Sequence, residues 1–496
     1  MPLNTNFAAI DLGSNSFHMI VVRIENDQIH VIDRLREMVR LGGGLDENRN
    51  LVPEVEARAL ACLEQFGQRL KSIPSQNIRA VGTNTFRQIR KPGAFLKRAS
   101  EALGHPIEII AGREEARLVY LGVAHGLPTS SEPRLVVDIG GGSTECIIGR
   151  GFEPMQRESL EMGCVSMTRQ AFPGGVISEA LMEAAVLRAR LEVTPVRHDF
   201  TRDHWFEAVG SSGTIRSIRA VVREQGWCDS GITAGALKKL RRALVKAGDA
   251  DALDLKGLSD ERKPVFAGGV AVLSGVFKEL RIEQMRVSDQ ALREGLIYDM
   301  LGRFDDEDVR GRAVTALSKR FGVNEPHAIR VERTAVALLV QVLDAWELDA
   351  TECTELLAWA VALHEIGLAI AHAQFHKHGF YLLTYADMPG FTRQQQYILA
   401  AMVRGHRRKF PDKLFNDIPR PQRGHVRRLC VLLRLSVLLN RMRSSANLPL
   451  VRASADDDAL SLRFPDGWLD ANPLIRAELE RENRYLEPAG FVLVFE

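Results

Sequence analysis

The amino-acid sequence predicts an α/β fold built from two copies of one domain, followed by a mainly helical module. Short β-branched runs alternate with amphipathic helical stretches over about the first 300 residues, which is the pattern of an α/β protein. Two motif pairs recur within this part at nearly the same separation. From residue 309 to residue 443 the pattern is helical instead, and only residues 490–495 look extended again.

The predicted elements of the first part follow this alternation along the chain. Helical periodicity is clearest over residues 54–73 and 114–123. Residues 126–133 are rich in Gly, Pro and Ser and are typical of a linker or hinge. The acidic run 305–308 marks the point at which the strand pattern largely stops. We predict strands over residues 7–10, 18–24, 107–110, 135–137, 146–148 and 207–209.

The two motif pairs indicate that the α/β part is duplicated. Residues 9–16 (Ala-Ile-Asp-Leu-Gly-Ser-Asn-Ser) match residues 136–143 (Val-Val-Asp-Ile-Gly-Gly-Gly-Ser), and each motif is a strand that ends in Asp before a Gly/Ser turn. The second pair begins with Ala-Val-Gly-Thr at residue 80 and Ala-Val-Gly-Ser at residue 208. We therefore expect two facing copies of one domain. The predicted domains are 1–125, 126–303, 304–450 and a small segment or subdomain, 451–496.

Composition excludes several classes of protein. The chain has 496 residues, of which 45% are hydrophobic and 26% charged, so it is neither disordered, nor collagen-like, nor a disulfide-rich miniature domain. No apolar run reaches the ~18 residues of a spanning helix. Asp11 interrupts the first apolar run, which argues against a secretory signal. The 6 cysteines show no metal spacing, so we expect reduced thiols and a cytoplasmic location, with peripheral membrane association left open.

The Gly/Ser turns after the matched strands have the chemistry of phosphate binding. Backbone N–H groups without neighbouring Cβ atoms can point at an anion, and two such turns on facing domains could hold a phosphate from both sides. Asp11 and Asp138 precede the turns, and a carboxylate beside phosphates normally implies a Mg²⁺ bridge. Either turn alone could be an ordinary tight hairpin. P-loop and Rossmann sites have no support, because neither GxxxxGK(S/T) nor GxGxxG occurs.

Several further motifs accompany the two turns. The set comprises residues 8–18, 112–118, 138–145 (Asp-Ile-Gly-Gly-Gly-Ser-Thr-Glu), 162–166, 210–214 and 292–295. Together they resemble the exopolyphosphatase/guanosine pentaphosphatase family of the actin-like superfamily, nearest to its bacterial exopolyphosphatase branch, and the helical tail resembles that of the long, four-domain members. The resemblance implies two actin-like (ribonuclease H-like) domains, Mg²⁺-dependent hydrolysis of phosphoanhydrides and a homodimer.

The resemblance also implies roles for individual residues. Glu115 matches the position that activates water, whereas Glu114 is not expected to reach the phosphate; from the pattern alone, both could simply favour a helix N-terminus. Asp138 and Glu145 would hold Mg²⁺, although Glu145 could instead be an exposed strand carboxylate. Arg87 would grip phosphate or form a salt bridge at a helix end. The predicted phosphate-binding residues are Asp11, Gly13, Ser14, Asn15, Ser16, Arg87, Gly140, Gly141, Gly142, Ser143, Thr144, Gly210, Ser211, Ser212 and Gly213.

A histidine-rich stretch in the helical part resembles an HD-type metallophosphohydrolase bundle. His364-Glu365 stands where such a site has His-Asp, and His372, His376 and His378 follow. The late helix that should supply an Asp has none, so too few carboxylates remain for a dinuclear metal site. We therefore expect an HD-like but catalytically silent module, in which His364 is a buried, hydrogen-bonded core residue.

The formal net charge of +2 conceals a strong asymmetry. Residues 401–450 contain twelve Lys and Arg against only two acids, whereas residues 451–496 contain ten acids and five bases. The basic stretch could be a solvated helix face balanced by the acidic tail, or it could concentrate a polyanion. Aromatic residues are sparse there, which favours polyphosphate over nucleic acid. The predicted polyphosphate track consists of Arg404, Arg407, Arg408, Lys409, Arg427 and Arg428.

These observations predict processive, Mg²⁺-dependent hydrolysis of the terminal phosphate of inorganic polyphosphate. The nearest alternative is 5′-phosphohydrolysis of guanosine pentaphosphate by the same site. A polyanion sensor that binds without turnover is a third hypothesis, against which the intact Glu115 and Asp138 argue. A sugar kinase is the fourth, since it would use the same fold with a sugar hydroxyl as acceptor.

Overall fold

The computed structural model describes residues 5–25, 28–90, 92–128, 130–304, 309–443 and 448–496. It divides the chain into an amino-terminal unit, Met1–Glu307, and a carboxyl-terminal unit, Asp308–Glu496. The acidic run 305–308 lies outside the described residues. Among the described helices, none is long and apolar enough to cross a membrane.

The first sheet of the amino-terminal unit consists of β1 (Thr5–Leu12), β2 (Phe17–Glu25), β3 (Gln28–Glu37), β4 (Ile78–Gly82) and β5 (Ile107–Ile109). Its helices are α1 (Pro53–Leu70), α2 (Asn84–Gln88), α3 (Pro92–Leu103) and α4 (Gly112–His125). The strand order is β3-β2-β1-β4-β5, with β1 antiparallel to β2 and parallel to β4. Ala8 and Ile10 join one core cluster and Phe7 and Ala9 another, because alternate residues of a strand face opposite sides of the sheet.

The second sheet repeats this arrangement. Its strands are β6 (Arg134–Ile139), β7 (Thr144–Arg150), β8 (Glu153–Leu160), β9 (Glu207–Ser211), β10 (Ile232–Thr233) and β11 (Gln284–Val287). Its helices are α5 (Cys164–Ala171), α6 (Glu179–Val193), α7 (Arg197–Phe200), α8 (Ser212–Glu224), α9 (Ala234–Ala247), α10 (Lys263–Glu279) and α11 (Leu292–Phe304). The order β8-β7-β6-β9-β11 is that of the first sheet, so the predicted duplication appears as matched topology.

The register of the parallel strands brings the motif loops to one edge of each sheet. Leu12 pairs with Gly82 across β1 and β4, and Val137 pairs with Gly210 across β6 and β9. Parallel strands that end in register deliver the residues that follow them to the same edge. The turns after β1 and β6 therefore lie beside the loops that follow β4 and β9.

The last helix of this unit, α11, packs against α4 at a point where both lack side chains. A Cβ at Gly122 or Gly295 would meet the backbone of the other helix. Gly295 belongs to one of the predicted family motifs, and this close backbone approach is the physical reason for glycine there. The contact places α11 beside the helix that carries Glu115.

The carboxyl-terminal unit is mainly helical, as expected from residue 309 onward. Its helices are α12 (Val309–Arg320), α13 (Glu325–Val342), α14 (Ala350–Leu363), α15 (Phe375–Tyr385), α16 (Arg393–Gly405), α17 (Asp412–Phe415), α18 (Arg420–Leu439), α19 (Trp468–Ala471) and α20 (Pro473–Leu486). A small sheet adds β12 (Arg452–Asp456), β13 (Ala459–Arg463) and β14 (Val492–Phe495). Of these three strands, the sequence pattern indicates only β14. Trp346 anchors the sheet to the helices, because its buried indole donates a hydrogen bond to the carbonyl of Asp457.

Candidate active site

A polar cavity opens in the amino-terminal unit where the two motif turns meet. It is lined by residues from both copies of the duplicated domain. The predicted site residues that line it are Asp11, Gly13, Ser14, Asn15, Ser16, Glu115, Asp138, Gly140, Gly141, Gly142, Ser143, Ser212 and Gly213. The fold therefore gathers residues that lie as much as two hundred positions apart in the sequence.

The glycine-rich turn after β6 is held from behind. The carbonyl of Gly140 accepts a hydrogen bond from Cys164 N–H at 2.9 Å, and that of Gly141 accepts one from Val165 N–H at 2.8 Å. A Cβ on Gly163 would lie 2.5 Å from the Gly141 backbone, so glycine is required for this approach. Gly140 N–H donates to Ser143 O within the turn, which removes it from the predicted phosphate donors.

The two turns also touch each other across the cavity. A Cβ on Gly141 would lie 2.9 Å from Ser14 Cβ, and one on Gly142 would clash with Oδ1 of Asn84. These contacts leave room for backbone only. The two copies of the domain are thus closed on each other at the turns, in the arrangement expected of a phosphate clamp.

Four carboxylates lie near one another at the cavity. Burial raises the pKa of Asp11 to about 7, and Glu115 and Asp138 add to this while Arg293 opposes it. Burial likewise raises the pKa of Asp138 to about 6, with Glu115 contributing. Burial, Glu115 and Asp138 hold the pKa of Glu145 well above its usual range. Arg87 and Arg293 offset only part of this negative charge, and oxygen ligands of this kind suit a hard divalent cation.

The raised carboxyl pKa values make the stability of the metal-free protein depend on pH. An unfolded Asp ionises near pH 4, so between about pH 4 and pH 7 the folded chain binds more protons than the unfolded chain and loses stability as the pH rises. We expect Asp11→Asn to remove part of this loss. The melting temperature of the variant minus that of the wild type, both measured in EDTA, should therefore increase from pH 5 to pH 8. If the melting temperatures of the variant and the wild type changed equally with pH, the raised pKa of Asp11 would be contradicted. Asp289→Asn, an exposed site, is the control.

His18 links the first turn to a cationic side of the cavity. Arg293 Nη1 donates to His18 Nδ1 at 3.3 Å, so the ring proton lies on Nε2, which donates to Ser16 Oγ at 2.7 Å. Burial and the neighbouring Arg293 hold the pKa of His18 well below its usual range, which keeps the ring neutral. The Ser16 hydroxyl proton is thereby left for an acceptor in the cavity. Nδ2 of Asn15 is also buried and has no partner among the described residues.

The start of α8 forms another wall of the cavity. Ser212 has φ 88°, a left-handed conformation that non-glycine residues rarely adopt and that is often found at functional sites. The Arg262 guanidinium lies so close over Gly213 that a Cβ there would displace it. Thr214 and Arg216 line the cavity from the same helix. A helix N-terminus and two guanidinium groups therefore face the turns, which suits a highly charged anion.

Five predicted site residues are not among the described residues that line the cavity. Thr144 Oγ1 donates to Met162 O, and Ser211 Oγ donates to Gln290 O at 3.2 Å. Gly210 packs within β9 against Ile215. Glu145 is 1% exposed, and its Oε1 accepts a hydrogen bond from Ser159 Oγ at 2.8 Å. The fifth is Arg87.

Arg87 holds Glu115 in place. Its Nη1 donates to Glu115 Oε2 and to Ile110 O, both at 2.9 Å. The alternative that the sequence left open, a salt bridge at a helix end, is therefore what the structure contains. The neighbouring Glu114 faces elsewhere, because both its oxygens accept from Arg117 at 2.8 Å. Only Glu115 of the two acids lines the cavity.

Part of the predicted polyphosphate track is neutralised within the carboxyl-terminal unit. Arg427 pairs with Asp412 at 3.0 Å, and Arg428 pairs with Asp458 at 3.2 Å. For these two arginines, the structure therefore supports the alternative in which acidic residues balance the basic stretch. Arg404, Arg407, Arg408 and Lys409 form no ion pair among the described residues.

Sequence reasoning missed several cavity residues. Arg216, Arg262 and Arg293 line the cavity together with His18 and Asn84. Two of the arginines had a usable signal: Arg216 closes the second repeat motif as Arg87 closes the first, and Arg293 lies in the motif 292–295. Arg262 stands in no motif, so only the fold reveals it.

Comparison with known proteins places this cavity in a family. Residues 20–304 match the Ppx/GppA phosphatase family, and residues 309–483 match its domain III. A guanosine-5′-triphosphate,3′-diphosphate pyrophosphatase of Vibrio cholerae is 39% identical over 99% of this chain and 98% of its own length. The chain belongs to the Ppx/GppA phosphatase family. Its activity is accordingly that of a phosphoanhydride hydrolase.

Solved structures of the Ppx/GppA family support the fold. An exopolyphosphatase from Cytophaga hutchinsonii matches with TM-score 0.55 and 24% identity, over 60% of this chain and 98% of that one. The Aquifex aeolicus PPX-GPPA enzyme matches with TM-score 0.50 and 25% identity, over 59% and 99%. The actin-like fold is therefore confirmed. Mg²⁺, the homodimer and the HD-like character of the helical module stay predictions.

Proposed function

We propose that this chain hydrolyses the terminal 5′-phosphate of guanosine pentaphosphate, the 5′-triphosphate 3′-diphosphate of guanosine. The observation that carries the proposal is the match, over nearly the whole of both chains, to a relative named for that activity. Water would form the new bond to the terminal phosphorus, and the bond from that phosphorus to the bridging oxygen would break. The products are inorganic phosphate and guanosine 5′-diphosphate 3′-diphosphate.

Glu115 would orient the attacking water. Its Oε2 is held by Arg87, so the carboxylate has a fixed position at the cavity and Oε1 remains for the water. In phosphoryl transfer the water loses its proton late, and the main task of such a carboxylate is positioning. Arg87 thus acts as a positioning residue rather than as a phosphate ligand.

The two turns and the cationic wall would hold the transferred phosphate. Asn15 Nδ2 and the Ser16 hydroxyl are donors without acceptors in the described structure, and the N-terminus of α8 supplies further N–H groups. Arg216, Arg262 and Arg293 would neutralise the polyphosphate charge. Asp11 and Asp138, with Glu145 behind them, would hold Mg²⁺, which when bound draws charge from the phosphate oxygens.

Inorganic polyphosphate is the second candidate substrate, and the composition of the cavity favours it. His18 is the one aromatic side chain among the described lining residues, so the cavity offers phosphate-binding groups but little surface on which a guanine could stack. Arg404, Arg407, Arg408 and Lys409 remain candidates for a polyphosphate track. A homodimer and a cytoplasmic location belong to the same proposal.

A comparison of substrates tests the proposed function. We expect kcat/KM for guanosine pentaphosphate to exceed that for polyphosphate of defined length by at least about tenfold, because nucleotide contacts add to the shared phosphate contacts. GTP, which lacks the 3′-diphosphate, is the matched control substrate. Faster phosphate release from polyphosphate would reverse the order of the two candidates, and no release from either would refute both.

A further inference from the structure

Four histidines lie together in the interior of the carboxyl-terminal unit. His327 comes from α13, His364 follows α14, His376 lies in α15 and His406 follows α16. The ring centroid of His364 is 5.8 Å from that of His327 and 5.5 Å from that of His406, which is 6.4 Å from that of His376. No ring is more than 4% exposed. Buried histidines from separate helices converge here on one point.

The hydrogen bonds of two rings fix where their protons lie. His364 Nδ1 is 2.6 Å from Val361 O, and His406 Nδ1 is 2.6 Å from Val403 O. A carbonyl can only accept, so in both rings Nδ1 carries the proton. Nε2 of each ring is buried with no acceptor among the described residues, so a second ring proton there would have no hydrogen-bond partner. Each Nε2 therefore carries a lone pair.

These lone pairs have no donor. Nε2 of His364, Nε2 of His406 and Nδ1 of His327 are all buried without a hydrogen-bond partner in the described part of the chain. Buried polar atoms are normally satisfied, and an unsatisfied one in a native protein requires an explanation. A cation among the rings would satisfy both Nε2 atoms, and it would satisfy Nδ1 of His327 in the tautomer that carries its proton on Nε2, whereas an anion would be repelled by the lone pairs.

Glu365 supplies a negative charge at the same place. One ligand atom each from His327, His364 and Glu365 lie within 4.8 Å of one another. Glu365 is buried, and Arg443 donates a hydrogen bond to its Oε1. This contact orients the carboxylate and leaves Oε2 as the oxygen that could bind a cation. Metal-binding carboxylates are commonly oriented by such a hydrogen bond.

We propose that His327, His364, His406 and Glu365 bind one divalent transition-metal ion of the zinc class. Three imidazole nitrogens and one carboxylate oxygen form a donor set that suits zinc and its neighbours and does not suit Mg²⁺. Zinc holds its ligands at about 2 Å, so the ligand atoms of His327, His364 and Glu365 would draw together from their present separation when the ion binds. His406 lies outside that close group and would approach as the fourth ligand, from a ring centroid 5.5 Å from that of His364. A dinuclear site would need more carboxylates than this module offers, whereas a mononuclear site needs only Glu365.

The nearby cations favour the neutral, ligand form of the histidines. Burial lowers the pKa of His327, Glu365 opposes this, and His364, Arg443 and Arg330 add to it, while Arg404 and Arg407 add to the lowering of the pKa of His376 by burial. These arginines would also repel a metal ion, and Glu365 offsets that repulsion. The ion would connect α13 to the ends of α14 and α16, so its role would be to stabilise the helical module.

Co²⁺ binding to the full-length chain tests this inference. The protein, stripped of metal and then kept in excess Mg²⁺ to occupy carboxylate sites, is titrated with Co²⁺ and followed by visible absorption. We expect one equivalent to bind with the intense d–d bands of a tetrahedral site, and Zn²⁺ to displace it. His364→Gln and His406→Gln should each weaken binding by at least about tenfold, while His372→Gln, at an exposed histidine, should bind like the wild type.

Several outcomes would overturn the inference. They are wild-type protein without tetrahedral bands, a thiolate charge-transfer band that indicates a cysteine site, or equal Co²⁺ affinity in His364→Gln and His372→Gln. Glu365→Gln provides a second variant, in case a histidine variant does not fold by circular dichroism. Added Zn²⁺ should also raise the melting temperature of wild type and not of Glu365→Gln. Phosphate release is not used as a readout, so the result is independent of the proposed function.

Discussion

Glu115→Gln is expected to lower the rate of phosphate release by a factor of about 10²–10⁴, with little change in KM. The amide keeps the size of the side chain and can still accept from Arg87 through its oxygen. It cannot take a proton from water, and it no longer attracts the water through a negative charge. Single-turnover phosphate release from guanosine pentaphosphate measures this step directly.

Glu114→Gln is the matched control, because it changes the preceding residue in the same turn of α4. Glu114 accepts two hydrogen bonds from Arg117 and is not among the described cavity residues. We expect this variant to lose stability and to keep its single-turnover rate at temperatures where it is folded. If Glu115→Gln releases phosphate as fast as Glu114→Gln, Glu115 does not position the water.

The turns could be predicted from sequence because their chemistry is local. A strand that ends in Asp before Gly and Ser specifies both the turn and its backbone donors, and the duplication places two such turns opposite each other. Gly141 and Gly142 line the cavity as the motif implies. The same pattern could not show that Gly140 N–H is used within the turn, because that depends on how tightly the hairpin closes.

The cationic wall could not be predicted in the same way. Arg216 and Arg293 lie in motifs that do not by themselves reveal what the arginine faces, and Arg262 stands in no motif, so only the fold shows that the three meet at one site. The basic stretch, residues 401–450, presents a different difficulty, and the polyphosphate track within it stays a prediction. The sequence shows how many charges it has but not their partners, and Arg434, counted among its cations, is fully buried against Glu482.

The sequence does not predict β12, because the residues on its buried face are too small to give a clear apolar alternation. β12 reads Arg-Ala-Ser-Ala-Asp, which has small residues where a half-buried strand usually has large apolar ones. Its position comes from pairing with β13. By contrast, the first strand of each sheet is buried on both faces and reads as a nearly continuous apolar run, so it was evident from sequence.

Asp299→Asn is expected to destabilise the amino-terminal unit by about 3 kcal/mol. Asp299 lies on α11, is 5% exposed, and pairs with both Arg79 of β4 and Arg117 of α4. Its loss leaves two buried guanidinium groups with less negative charge, and desolvated cations tolerate this poorly. This loss of unfolding free energy is at the lower end of the range for broken buried ion pairs, because both arginines still have a partner. Arg79 remains paired with Glu108 at 3.0 Å, and Arg117 remains paired with Glu114.

Hydrogen exchange measured by mass spectrometry locates the effect. Peptides that cover 112–125 and 292–304 should exchange faster in Asp299→Asn, because α4 and α11 are the helices that the carboxylate joins. Asp289→Asn is the control, since Asp289 is exposed and its pair with Arg219 at 3.3 Å should contribute less than about 1 kcal/mol. Equal exchange in the two variants would show that the buried network does not hold α11 against the helix that carries Glu115. In that case the position of the water-orienting carboxylate must depend on Arg87 and the glycine contact of the two helices alone.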